Sequence, residues 1–305
     1  EHAGRTGLAH LFEHLMFKGT HRHPHAAFDR LLERAGAQAN AATWLDWTVY
    51  YETLPWDTWV LAPDLESDRM VNLILDQAQL DAEGEVVKNE RRYRVDNDPD
   101  GRMEEVLFET MFPGHAYGRP TLGSMEDIDG LTLEDCLDFY RAWYSPSNVL
   151  LVVSGSASFE RVLEILVYRD GAIERQEVPG RLGPPEHVAN GPMVHSMSVA
   201  AASERLKMGW ATAPAGSDDV LALDVVNEIL FANESYRAFR SLVEEDGLAS
   251  DVDGFAEPLI QDGLFTVDVV CNEGVPCEDA LEAVLAATED LAPEGTTKVE
   301  MDRAM

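Results

Sequence analysis

Lysine is nearly absent from this chain: among 305 residues only Lys18, Lys88, Lys207 and Lys298 occur. Positive charge of any kind is scarce, with 23 Lys and Arg against 56 Asp and Glu and a formal net charge of −33. Such a surface repels nucleic acid and anionic membrane surfaces, so no nucleic-acid partner is expected. It would draw in basic peptides, but the plainer reading is a solvated acidic coat of the kind a salt-rich habitat favours. Cysteine is just as sparse. Cys136, Cys271 and Cys277 are odd in number and form no CxxC pair, so neither a disulfide framework nor a cysteine metal site is expected. They read as buried thiols. No apolar run approaches the roughly 18–20 residues of a membrane span. The longest, residues 149–153, reads as a buried strand. The chain opens without Met and closes at Met305 in what reads as the start of a helix, so both ends are expected to be cuts. The absence of a leader then carries no information; a prokaryotic cytoplasm or periplasm is the expected compartment.

What is present is an ordinary globular composition, 45% hydrophobic, long enough for two domains with cores of their own. Near the start stands His10-Leu11-Phe12-Glu13-His14. On a helix, positions i, i+3 and i+4 share one face, so both imidazoles and the Glu13 carboxylate point into one volume. Two neutral imidazoles suit a borderline-soft cation such as zinc, and a third protein ligand leaves one position for water. A carboxylate beside that water can take its proton when a carbonyl is attacked. This is the HxxEH order, the inverse of HExxH. The plain alternative is an amphipathic helix with surface histidines. Against it, Leu11, Leu15, Met16 and Phe17 give the helix a buried side. His21, His23 and His25 follow in a loop whose Pro24 and irregular spacing predict an exposed turn rather than ligands.

Further along, residues 27–35 read as a helix and 37–55 as strands rich in aromatic and β-branched residues. Residues 61–79 read as a helix, and 81–95 as a charged amphipathic helix. Glu83 and Glu90 lie about two turns apart on it and share a face. By itself this is a solvated helix; beside an unfinished two-histidine site it is the richest local source of a carboxylate ligand. Helices are expected over 133–143, 159–174, 218–245 and 277–291, and strands over 148–154, 193–210 and 248–270. Residues 176–192 hold four prolines and three glycines without apolar periodicity, the signature of a linker. The expected organisation is α+β: domain 1–175, linker 176–192, and a second domain 193–305. Strands and helices mix in both, which points to two related domains.

Several segments together resemble the M16 (pitrilysin-type) zinc metallopeptidases, which include insulin-degrading enzyme and the mitochondrial processing peptidase. They are the HxxEH helix with Phe17-Lys18-Gly19-Thr20, Asn40-Ala41-Ala42-Thr43 with Asp46-Trp47-Thr48-Val49-Tyr50-Tyr51, and residues 83–90. His115-Ala116-Tyr117-Gly118-Arg119-Pro120 and Tyr144-Ser145-Pro146-Ser147-Asn148 look the same way. The resemblance implies two M16-type domains, each a mostly antiparallel sheet packed with helices. It implies one Zn²⁺ per chain held by His10, His14 and Glu90, with Glu13 as general base. Glu83 would support the ligand set. Asn40 and Ala41 would lie on an edge strand to which an extended peptide adds by main-chain hydrogen bonds. The family's spacing from second histidine to third ligand falls on Glu90. Active M16 assemblies also use an Arg/Tyr pair from a companion domain, often on another subunit of a homo- or hetero-oligomer. The matching positions here are Val243 and Ser250. A companion that supplies the pair is therefore expected. Two strands before the motif helix, usual in the family, are not in this sequence, and the second domain is expected to be C-terminally incomplete. The competing readings are a non-catalytic, structural or substrate-holding M16-like subunit, and a zinc hydrolase acting on something other than peptides.

Overall fold

The computed structural model describes residues 3–24, 27–180, 183–185, 191–231 and 236–305. In chain order the elements are α1 (Leu8–Leu15), α2 (Ala27–Arg34), β1 (Gln38–Thr43), β2 (Thr48–Thr53), α3 (Leu61–Asn72), α4 (Gln77–Arg91) and α5 (Pro99–Met111). Then come α6 (Met125–Gly130), α7 (Leu133–Trp143), α8 (Phe159–Asp170), β3 (Arg205–Pro214), α9 (Asp218–Leu230) and the short α10 (Arg237–Phe239). β4 (Ala249–Glu257), β5 (Asp262–Cys271), α11 (Cys277–Glu294) and α12 (Lys298–Ala304) complete the chain. The contacts divide it into two units, Glu1–Arg92 with Pro120–Leu182, and Tyr93–Arg119 with Gly183–Met305.

The first unit is organised around α1. Leu8, Leu11, Phe12 and Leu15 recur at helical spacing and are buried. Phe12 stacks on Tyr140 of α7, with ring centroids 5.6 Å apart, and lies 4.8 Å from Tyr144. Leu80 and Val87 of α4 join the same core. The start of α1 is set by two glycines. Gly7 (φ 82°) and Gly123 (φ 79°) bring their backbones together, and a Cβ on Gly7 would lie 2.7 Å from Gly123 Cα. Only glycine accepts both that conformation and that approach. The buried Arg91, last residue of α4, donates from Nη1 to the Gly123 carbonyl at 2.6 Å. One loop therefore anchors the beginning of α1 and the end of α4. α4 itself begins at a capping box in which Asp76 and Gln79 each accept the other's backbone N–H at 2.9 Å. The helix expected over 61–79 ends at Asn72, and the one expected over 81–95 begins earlier, at Gln77 where this box caps it, and ends at Arg91.

β1 and β2 form an antiparallel pair in which Thr43 faces Thr48 at the turn. Beside them, Arg69 of α3 is 2% exposed. Its guanidinium carbon lies 4.4 Å from the Tyr50 ring centroid and 4.7 Å from that of Phe28. Its nitrogens reach Glu66 at 2.8 Å and Glu52 at 3.6 Å. Burial, then hydrogen bonding and repulsion from Glu66, raise the Glu52 pKa to about 8.

In the second unit β3, β5 and β4 form an antiparallel sheet with β5 in the centre. Leu264, Phe265, Val267 and Val269 of β5 are buried, as befits a strand flanked on both sides. Leu230 and Phe231 at the end of α9, Leu242, and Ala280 and Val284 of α11 pack with this sheet in one apolar cluster. α5 belongs here by contact: Arg205 pairs with Asp100, and a Cβ on Gly209 of β3 would meet Leu107 Cδ1 at 2.8 Å. Residues 93–119, which the sequence keeps with the first domain, pack with the second unit for that reason. The expected linker includes residues 181, 182 and 186–190, which lie outside the described ones.

Two expected strands are corrected. Residues 149–153 pair with no strand among the described residues and are exposed, Leu150 by 89% and Val152 by 78%. A strand buries its face only when a partner and a packing layer are present. Residues 193–204 likewise make no ladder, and β3 begins only at Arg205. The helix expected over 218–245 is interrupted: α9 ends at Leu230, and α10 continues as a π-helical turn, Arg240–Glu245. Cys136 and Cys271 are buried thiols and Cys277 is half-buried; all three are free.

Candidate metal centre

His10, Glu13 and His14 project from α1 opposite Leu8, Leu11, Phe12 and Leu15, because the helix turns 3.6 residues per repeat. His10 and Glu13 are buried and His14 is half-buried. On α4, Leu80, Glu83 and Val87 form one inward stripe, and Glu90 continues it. The two helices bring their polar groups together. His10 Nε2 and His14 Nε2 each lie 3.6 Å from the same atom, Glu90 Oε2. The imidazole rings stand edge to face with centroids 4.8 Å apart. One ligand atom from each of the three residues falls within a 4.8 Å span, and no other such trio of His, Cys, Asp or Glu occurs among the described residues. A tetrahedral zinc ion bonded at about 2.0–2.1 Å holds its donors roughly 3.4 Å apart, so this donor set fits it.

Glu83 contacts the opposite side of His14, with Oε2 3.3 Å from Nδ1. Its other oxygen takes Lys18 Nζ at 2.5 Å. An imidazole that donates from Nδ1 presents its lone pair at Nε2, the atom facing Glu90. Burial works against the His14 imidazolium, but hydrogen bonding and negative charge from Glu90 and Glu83 outweigh it and raise the pKa. Glu13 accepts a hydrogen bond from Thr43 Oγ1 at the end of β1. On the same strand Asn40 is exposed, and its Oδ1 accepts from the Ala41 N–H at 2.9 Å. β1 pairs with β2 on one side, and no strand pairs with its other edge among the described residues.

Of the loop histidines, His21 is exposed and His23 Nε2 lies 3.9 Å from Asp64; His25 lies outside the described residues. Val243 packs against the core of the second unit, and Ser250 Oγ donates to the Val270 carbonyl at 3.2 Å. Sequence reasoning quoted Thr43, Thr48 and Lys18 without giving them work, and missed Arg69 and the Gly7–Gly123 contact. For Arg69 a signal exists: an arginine three residues after Glu66 on a helix facing an aromatic strand.

Helices and antiparallel sheets carrying a His-His-Glu cluster with an adjacent carboxylate define a class, mixed α+β proteins with a site that could hold a metal ion. The comparisons make it specific. Residues 1–125 match the family model described as insulinase (peptidase family M16), and residues 130–305 match the one described as peptidase M16 inactive domain. The chain belongs to the peptidase M16 family. His10, Glu13, His14, Glu83 and Glu90 all fall in the first match, so the second model's label does not describe them. The zinc protease PqqE of Helicobacter pylori is 28% identical over 99% of this chain and 69% of that protein. An uncharacterized zinc protease of Streptomyces coelicolor, SCO5738, is 26% identical over 98% of this chain and 66% of its own length. The chain thus spans about two thirds of the relatives it matches. The crystal structure of a protease from Helicobacter pylori superposes with a TM-score of 0.96 at 26% identity, over all of this chain and 74% of that one. Among the described residues no helix is long and apolar enough to cross a membrane.

Proposed function

We propose that this chain is the zinc-carrying part of an M16 endopeptidase that hydrolyses peptides or unfolded polypeptide segments. The observation that carries the reading is the meeting of His10 Nε2 and His14 Nε2 at one Glu90 oxygen, with a buried Glu13 on the same helix face. His10, His14 and Glu90 would hold the zinc. When bound, zinc supplies a Lewis acid for the scissile carbonyl and lowers the pKa of water toward about 7.

The chain's own residues do the rest. Glu13 takes the proton of the attacking water and returns it to the leaving amine. Glu83, fixed by Lys18, holds the His14 ring through Nδ1 so that Nε2 keeps its lone pair inward. An extended peptide adds along the open edge of β1, where Asn40 releases the Ala41 N–H to a substrate carbonyl. Main-chain pairing of this kind reads shape and length more than side chains. Val243 and Ser250 offer no Arg/Tyr grip, so a companion M16 domain, on a second subunit or elsewhere in the protein, completes the site. The same observation favours the alternative of a non-catalytic, substrate-holding subunit.

Metal analysis and peptide cleavage by the full-length protein separate the two. The peptidase reading expects one zinc per chain in both wild type and Glu13→Gln, with turnover at least about 100-fold lower in the variant. A zinc-free wild type, or a Glu13→Gln protein that cleaves normally, overturns it.

A further inference from the structure

We infer that Thr43 is a positioning residue for Glu13, and that the β1–β2 turn, rather than α1 alone, aims the general base. The inference rests on the peptidase reading above. A glutamate reaches its carboxylate through three rotatable bonds, and α1 constrains only the first of them closely. The remaining freedom is removed from outside the helix. Thr43 Oγ1 donates to Glu13 Oε2. That hydroxyl has a single proton, so the Thr48 hydroxyl, 3.1 Å from Thr43 Oγ1, must be the donor in that contact. The relay therefore runs one way, from Thr48 to Thr43 to Glu13.

The geometry of the strands makes the relay stiff. Thr43 and Thr48 are opposite one another in the ladder and are its last pair before the turn. The turn is closed by the Trp44 N–H donating to the Trp47 carbonyl at 2.9 Å. Thr43 also lies two residues from Ala41 on the strand whose open edge is the proposed substrate track. A peptide that adds to β1 therefore stiffens the same strand that orients the base. A base that first accepts and later returns a proton needs one orientation through both steps, so loss of the relay falls on turnover rather than on binding.

The test uses the full-length, zinc-loaded protein with three variants: Thr43→Val, which keeps shape and removes the hydroxyl, Thr43→Ser, which keeps the hydroxyl, and Thr48→Val. Thr43→Val is expected to lower kcat by roughly 10- to 100-fold with KM within about threefold and zinc content unchanged. Thr43→Ser is expected to recover most of the loss, and Thr48→Val to lose less than Thr43→Val. Wild-type kcat in Thr43→Val, a serine variant as slow as the valine one, or a loss carried by KM or by zinc content overturns the inference. A readout without activity accompanies it. In chelated protein, unfolding of Thr43→Val, Glu13→Ala and the double variant is expected to show coupling, the double losing less than the two singles together. Strict additivity overturns the contact. An active, zinc-loaded Thr43→Val enzyme of normal kcat removes this inference alone. A wild type that neither binds zinc nor cleaves removes the peptidase reading and this role together.

Discussion

The two units bury different things. Among the described residues every buried charged side chain belongs to the first unit: Glu13, Asp68, Arg69, Glu83, Arg91 and Asp135, with His10 beside them. In the second unit the buried set is apolar apart from Thr266. Burying a charge is expensive unless it is paired, so a core with so many implies a purpose other than stability. The first unit accepts that cost to hold polar groups at fixed separations. The second gains from dense apolar packing around β5. Chemistry is therefore expected to be fragile in one unit and stability in the other.

That contrast can be broken, the largest effect first. Arg69→Met removes the cation from beside Glu52 and Glu66 and from over the rings of Phe17, Phe28 and Tyr50. It is expected to cost about 3–5 kcal/mol in denaturant unfolding, because the half-buried Glu66 carboxylate loses its cation and the stacking of that cation on three rings is lost with it. In the second unit, Leu242→Ala, at a fully buried position, is expected to cost about 2–5 kcal/mol while zinc content stays at the wild-type level. A loss of zinc in that variant would blur the division between the units. The smallest effect is a slope. The fold raises the Glu52 pKa to about 8, so it favours the protonated acid. The stability this contributes is complete below the ordinary carboxylate value and is lost as pH rises through about 8. Thermal midpoints are expected to fall from pH 5 to pH 9, and Glu52→Gln to flatten that fall. An unchanged slope in the variant would place the titration elsewhere.

The same contrast explains what could be seen in the sequence. The positions of His10, Glu13 and His14 follow from the helical repeat, and so does the shared face of Glu83 and Glu90. A short local rule suffices for each. The two helices over 61–72 and 77–91 were legible as 61–79 and 81–95, and the break between them fell a few residues late although Asp76 and Gln79 spell a capping box. Thr43 was not legible, because its partner lies thirty positions away on another element. Gly7 and Gly123 matter only through their meeting. Residues 149–153 have a strand's composition, and composition says nothing about whether a partner strand is beside them. The attachment of residues 93–119 to the second unit rests on contacts such as Arg205 with Asp100, which no change in composition announces.

The exposed run from Val149 to Val153 has one more consequence. It contains neither charge nor proline, and among the described residues its backbone joins no ladder, which leaves it open to an extended chain that meets it. Two copies approaching through this segment are held apart chiefly by the net charge of −33 they each carry. Added salt shortens the reach of that repulsion while leaving the apolar attraction intact. With this run exposed, the chain is expected to self-associate more readily as added salt screens its acidic surface, which light scattering across ionic strength would show.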